Sequence, residues 1–265
     1  IIKDFVLNAI DYENLGKDEI TDYLLNANRI LNKAVFGHKK AKCQILQIVS
    51  QWISNPQSKG SVFSIVGPMG NGKTTLVRYG IAEAIKRPFH FISLGGASDS
   101  SYLDGHSYTY EGSQPGKIVE ILKKSKCMNP VIYFDELDKV SETPKGEEII
   151  NVLTHLTDLT QNTQFHDKYF SEVDFDLSKC LFIFSYNDES RVNPILKDRM
   201  YRIQTDGYDS KQKIVIAKNY LLPKIHEQVK FSSEDVILSD DVLSHIITTF
   251  TDGEKGVRNL KRCLE

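Results

Sequence analysis

The sequence predicts an α/β fold: a parallel sheet of five strands flanked by helices, followed by a small all-helical region. Three observations carry that expectation. Short apolar runs alternate with helical patterns from about residue 61 to 204. A glycine-rich stretch, Gly67-Pro68-Met69-Gly70-Asn71-Gly72-Lys73-Thr74-Thr75, lies between the first such run and a helical pattern. After Gly207 no strand-like run is evident, and only helical patterns remain.

The elements follow in order. Residues 18–34 read as a helix with Ile20, Leu24, Ala27 and Leu31 on one face, broken at Phe36-Gly37. A second helix carries Ala41, Ile45, Ile48, Val49 and Trp52 on one face. Residues 54–60 are a loop by composition. Strands are expected at 61–66, 89–93, 130–134 and 180–186, with a weaker one at 200–204. Helices fall near 73–86, 116–126 and 146–159, then at 210–228, 239–249 and from about 254 onward. The expected division is a helical linker at 1–34, a large α/β part at 35–207 and a small, incomplete helical part at 208–265.

With 265 residues, 40% of them hydrophobic, the chain has ample material for a core. A net charge of −2 gives no overall basic excess, which argues against nucleic acid as a partner; Lys39-Lys40 and Lys123-Lys124 read as solvated helix faces. Cys43, Cys127, Cys180 and Cys263 form no C-x-x-C pair and read as reduced thiols of a cytoplasmic or other reducing intracellular compartment, a reading that leaves a mitochondrial or other organellar location open. No apolar stretch approaches the roughly 20 residues that span a bilayer, so no membrane is expected. The chain begins with Ile1, which suggests an excised segment.

Gly67-x-x-x-x-Gly72-Lys73-Thr74 has the spacing of a Walker A phosphate loop. Phosphate oxygens need several backbone N–H donors aimed at one point, and glycines let the chain curl that closely. The following helix contributes its free N–H groups and the positive end of its dipole. Lys73 is suited to the outer phosphates, and the Thr74 hydroxyl to Mg²⁺. Gly67 through Thr75 are therefore the candidate ATP-binding residues.

The run Val131–Phe134 ends in Asp135 and Glu136, at the strand end where open α/β sheets bind ligands. Asp135 suits the Mg²⁺ shell, and Glu136 suits polarisation of an attacking water. Taken alone, the pair also fits a strand that stops at two acids capping the next helix. Asn187 ends another apolar run and Arg199 follows twelve residues on. Each has a plain alternative, a common strand end for Asn187 and a surface salt bridge for Arg199.

The order of these signals is that of AAA+ ATPases. The stretches at 91–96, 104–139, 176–187, 196–200 and 256–262 closely resemble the ATPase module of Lon proteases, most specifically in His106-x-x-Thr109-Tyr110-x-Gly112-x-x-Pro115-Gly116. The resemblance implies an ATP-hydrolysing, Mg²⁺-dependent motor that unfolds protein substrates and moves them through the pore of a homohexameric ring. It implies that Phe36, Gly37 and His38 pass the adenine, that Asn187 is sensor 1, that Arg199 is a finger acting on the neighbouring subunit, and that Arg258 is sensor 2. Tyr110 falls at the pore-loop aromatic and Glu111 beside it, where the family usually has an aliphatic residue. Without the resemblance, Tyr102, Tyr108 and Tyr110 read as packing on one another. Met69 and Asn71 fall at positions of the loop that tolerate variation, and His106 is expected to stabilise the base of the pore loop. No Ser–Lys protease motif occurs in the chain, so a protease-less remodeller is the second reading, with a nucleic-acid motor behind it.

Overall fold

The computed structural model describes residues 17–55, 61–97, 99–107, 109, 112–232 and 235–265. Helix α1 (Lys17–Ala34) and helix α2 (Lys39–Ser54) precede the first strand, β1 (Val62–Val66). Helix α3 starts as Lys73–Thr75, passes through a π-helical stretch Leu76–Ile81 and ends as Ala82–Ala84. Strand β2 (Phe89–Ser93), the short α4 (Ser101–Asp104), α5 (Lys117–Ser125) and β3 (Val131–Asp135) follow, and then α6 (Pro144–Thr157). Two short strands, β4 (Phe165–His166) and β5 (Asp174–Phe175), lead to β6 (Leu181–Tyr186), α7 (Pro194–Arg199) and β7 (Tyr201–Gln204).

The five long strands form one sheet in the order β2-β3-β6-β1-β7, and every pairing is parallel. Side chains alternate between its faces, as a pleated strand requires. Ile132, Phe134, Phe182 and Phe184 enter one core with α5 and α6. Val131, Tyr133, Leu181 and Ile183 enter the other with α1, α2 and α3. Each of the central strands β1, β3 and β6 is buried on both faces, which is why it reads as an unbroken apolar run rather than an alternating one.

All five expected strands are present within one residue of their expected ends. The β4–β5 pair is an addition: Phe165 pairs antiparallel with Phe175 and His166 with Asp174. Strands of two residues carry no periodicity for a sequence to display. Helix α6 starts two residues earlier than expected, because Thr143 accepts from Gly146 N as an N-cap and Pro144 occupies the first turn.

After β7 the chain is helical. Helix α8 runs as Ser210–Ile216, a π-helical stretch Ala217–Leu221 and Leu222–Val229; α9 is Asp240–Phe250 and α10 is Arg258–Leu264. The π stretch ends just before Pro223, a residue that cannot donate to an α-helical ladder. Ala217, Leu243, Ile247 and Leu260 form the small core of this region. Among the described residues no helix is long and apolar enough to cross a membrane.

Candidate nucleotide site

The glycine-rich loop leaves β1 at its carboxyl end, and α3 starts at its far side. Gly70 and Gly72 both have positive φ, +73° and +92°, so the turn needs residues without a Cβ at these two positions. The first helical bond runs from Leu76 N to Gly72 O at 2.8 Å. The N–H groups of Lys73, Thr74 and Thr75 precede it, and Gly72 has no side chain to cap them. This is the donor set that a chain of phosphates requires.

Lys73 is turned into the loop. Its ammonium donates to Gly67 O at 2.8 Å, to Pro68 O at 3.0 Å and to Asn187 Oδ1 at 2.7 Å. Burial lowers its pKa to about 8, against the opposing pull of Asp135 and Asp138. Asn187, which the resemblance marks as sensor 1, is joined to the loop lysine by this direct bond. Asn71 departs from its expectation as a tolerant position. It is 1% exposed, and its amide donates to Thr205 Oγ1 at 2.8 Å and Asp206 O at 3.3 Å, tying the loop to the strand next to β1.

Asp135 and Glu136 stand at the end of β3. Tyr133 bridges Thr74 and the first acid: its hydroxyl lies 3.3 Å from Thr74 Oγ1 and donates to Asp135 Oδ1 at 3.3 Å. Burial raises the Tyr133 pKa and keeps it a proton donor. Asp135 Oδ1 also accepts from Ser185 Oγ and from Glu136 N. Glu136 has φ +61°, in the left-handed region that few non-glycine residues adopt. Its carboxylate packs over Gly95, where a Cβ would lie 2.4 Å from Oε2.

Gly95 and Asp138 are site residues that the sequence reading missed. Asp138 is 3% exposed, and its Oδ2 accepts from Asn187 N at 3.2 Å and Asp188 N at 3.1 Å, which fixes the end of β6. Its spacing after Glu136, on a 3₁₀ turn at Leu137–Lys139, was the available signal.

A cavity lies against the loop. Val35, Phe36, Tyr208, Ile216, Tyr220 and Leu221 are among its lining residues, together with Gly72 and Thr75. Flat apolar walls beside a phosphate loop suit a purine ring. Phe36 lines this cavity. His38 has φ +50° and is not among the residues that line it. Its Nε2 is 3.0 Å from Asn71 O and 2.7 Å from the Tyr208 hydroxyl, which also reaches Phe36 O and Asn71 O at 3.1 Å each. Burial lowers the His38 pKa, so the ring is neutral at pH 7. Gly37 packs against the Tyr208 ring. Tyr208, Ile216, Tyr220 and Leu221 were not legible as site residues, since only the return of the helical region brings them here.

That region meets the loop directly. Val257 N donates to Gly70 O at 3.0 Å. Glu254 accepts from Arg258 N at 3.0 Å and Asn259 N at 2.8 Å, and its Oε1 lies 2.8 Å from where a Cβ on Gly70 would stand. Arg258 is close enough to Lys73 to depress the lysine's pKa. Two cations and the first-turn amides of α3 thus surround the loop, with Asp135 and Glu136 nearby. Among the described residues no three His, Cys, Asp or Glu side chains gather as a cation cage. A Thr hydroxyl and one carboxylate are instead the sparse ligand set that suits Mg²⁺, which keeps waters and phosphate oxygens.

Arg199 makes its bonds elsewhere. Its Nη1 donates to Thr154 O at 2.6 Å, and its Nη2 pairs with Asp158 Oδ2 at 3.2 Å, both at the end of α6. Tyr110 and Glu111 lie outside the described residues, as does Tyr108. The base of their loop is described. Asp167, fully buried, accepts from Gly116 N at 2.7 Å through Oδ2 and from Tyr169 N and Phe170 N through Oδ1. A Cβ on Gly116 would stand 2.2 Å from Leu103 O. The His106 side chain is exposed, and among the described residues its backbone N–H donates to Gln114 O, while the buried Asp167 ties the base of the loop.

The family model described as "ATPase family associated with various cellular activities (AAA)" matches residues 63–208. The chain is similar to a Lon protease homolog of Acanthamoeba polyphaga mimivirus, 43% identical over 92% of this chain and 24% of that protein. It is 36% identical to the Lon protease of Malacoplasma penetrans over 99% of this chain and 33% of that protein. It is also 36% identical to the mitochondrial Lon protease homolog of Schizosaccharomyces pombe, over 94% of this chain and 23% of that protein. The chain therefore spans about a quarter to a third of the length of these relatives.

Proposed function

The chain belongs to the AAA family of ATPases, with Lon proteases as its relatives, and from that premise we propose that it is the ATP-driven motor module of a Lon-type protease. The observation that carries this reading is the convergence of Lys73, Asn187, Asp135 and Glu136 where β1, β6 and β3 end. In this proposal Gly67–Thr75 wrap the phosphates of ATP, and Val35, Phe36, Tyr208 and Tyr220 enclose the adenine. Lys73 leaves the Gly67 and Pro68 carbonyls for the outer phosphates. Thr74 and Asp135 hold Mg²⁺, which when bound offsets charge on the phosphate oxygens. Glu136 accepts a proton from the attacking water, and Asn187 orients that water.

Arg258 acts on the γ-phosphate from within the same chain, supported by the Val257–Gly70 contact. Arg199 acts on a neighbouring subunit of a homohexamer. The large part at 35–207 and the helical part at 208–265 move against each other about the turn at Gly207 as nucleotide comes and goes. Protein substrate is gripped by Tyr110 on the loop whose base Asp167 secures.

The test separates binding from turnover. Glu136→Gln retains labelled ATP with Mg²⁺ but loses steady-state hydrolysis by a hundredfold or more, while Lys73→Ala loses retention itself. Hydrolysis at wild-type rate by Glu136→Gln removes the water-activating role. A Tyr110→Ala variant that hydrolyses ATP yet fails to unfold a tagged substrate supports the translocation part; undiminished unfolding overturns it.

A further inference from the structure

Arg199 has a docking site on its own chain that the nucleotide chemistry does not explain. It is the last residue of α7, and its guanidinium lies against the end of α6. Two features hold it. Thr154 O belongs to the last turn of α6, at the negative end of the helix dipole. Asp158 follows directly as the C-cap residue and supplies a full charge. Its other oxygen, Oδ1, accepts from Thr160 N at 2.9 Å and Thr160 Oγ1 at 2.6 Å. The carboxylate is therefore fixed by its own backbone turn rather than by the arginine. Those same bonds, with Arg199 a weaker contributor, hold the Asp158 carboxyl below the usual carboxylate range.

The geometry leaves the arginine usable. A guanidinium has five N–H donors in a rigid plane. One Nη1 hydrogen goes to Thr154 O and one Nη2 hydrogen to Asp158. The Arg199 side chain is 30% exposed, whereas Asp158 is 16% exposed. A long, flexible cation is thus presented with its orientation set at two points and, among the described residues, the rest of its fork uncommitted. Holding a reacting group in one orientation removes entropy that would otherwise oppose the transition state.

We propose that Asp158 is a positioning residue for hydrolysis in the adjacent subunit: with Thr154 O it presets Arg199 to reach that subunit's phosphates. The inference rests on the reading of Arg199 as a finger acting in trans. It opposes the other use of the same contact, a latch that must break before Arg199 works. The two uses differ in sign, since loss of Asp158 slows a positioned finger and frees a latched one.

The experiment mixes two variants of the full-length protein and reads ATP hydrolysis. Arg199→Ala chains keep their own Glu136 but lack a finger. Glu136→Gln chains cannot activate water but offer one. Mixed assemblies should hydrolyse ATP several-fold faster than the sum of the two alone, and failure of this first mixture overturns the trans reading and the inference with it. The second mixture replaces the donor with Glu136→Gln/Asp158→Asn. Its complementation should fall by tenfold or more in kcat, with KM for ATP within about twofold. Glu136→Gln/Asp158→Glu should restore part of it. Asparagine keeps the bonds from Thr160, so an unchanged melting temperature for Asp158→Asn separates positioning from folding. Complementation by the Asp158→Asn donor equal to that of the first mixture, or greater, overturns the inference.

Discussion

The backbone N–H of Val257 donates to the carbonyl of Gly70 at 3.0 Å, so the helical region grips the tip of the phosphate loop by its main chain. The neighbouring Gly256 makes this possible. A Cβ there would stand 2.3 Å from Met69 O and 2.6 Å from the Gly70 carbonyl carbon, against backbone that has no rotamer to change. Side chains can be exchanged at such a contact; the contact itself depends on one missing methyl group.

Gly256→Ala should therefore part the helical region from the loop. Overpacking of this kind costs about 1–3 kcal/mol. Fluorescent-nucleotide titration should show affinity for ATP reduced roughly tenfold, which corresponds to about 1.4 kcal/mol, while circular dichroism shows the helices intact. Wild-type affinity would mean that the loop does not depend on this contact.

Gly95→Ala probes the opposite case. The atom in the way is Glu136 Oε2, the far end of a flexible side chain. The carboxylate can move aside at little cost, so the melting temperature and ATP affinity should stay near wild type. Turnover should not, because a shift of about 1 Å in a reacting group costs on the order of a hundredfold. Steady-state kinetics should show kcat down at least tenfold with KM little changed.

Asp138→Ala leaves the N–H groups of Asn187 and Asp188 without their acceptor. Burying unsatisfied donors costs about 1–3 kcal/mol, visible in urea unfolding. Asp138→Asn keeps one carbonyl oxygen and should recover most of the stability. Both variants should lower kcat, as the end of β6 that carries Asn187 loosens.

Lys42 gives a pH signature. It is 5% exposed and donates to Asn32 Oδ1 at 3.0 Å and, at 2.6 Å, to Val35 O, whose residue lines the cavity against the phosphate loop. Burial lowers its pKa from 10.5 to about 8. Between those values the unfolded chain holds a proton that the folded chain has released, so this group makes the fold more stable as pH rises from about 8 to 10.5. Wild type should gain up to about 3 kcal/mol relative to Lys42→Met across that window, at up to about 1.4 kcal/mol per pH unit. The raised pKa values of the buried cysteines and tyrosines act the other way but cancel in the comparison. Differential scanning calorimetry at pH 8 and 10 reads the stability of wild type minus that of the variant; a difference that stays constant or falls as pH rises contradicts the assignment.

The sheet was legible because its strands are apolar on both faces, and the phosphate loop because its glycines and lysine occur in one local run. Asp135 and Glu136 were legible from their place after such a strand. What escaped depends on chain segments meeting in space. Tyr208 reaches Asn71 across 137 residues and Asp167 reaches Gly116 across 51, with no local pattern to mark either. Gly95 carried no meaning until Glu136 was placed above it. Helix α6 is a different matter: Thr143 and Pro144 form a readable start, and the expected boundary at 146 missed it.

The buried carboxylate of Asp167 has a mechanical consequence. Its two oxygens join the foot of the loop at Gly116 to the turn at Tyr169 and Phe170 that precedes β5. Tension that reaches Gly116 passes through its one hydrogen bond to Asp167 and is delivered to a second segment, whose Tyr169 and Phe170 N–H groups hold the other carboxylate oxygen. Asp167→Asn, with one oxygen replaced by an amide, should make this junction yield at lower force in single-molecule pulling. Part of any pull that reaches Gly116 is thereby handed on by this carboxylate to the segment before β5.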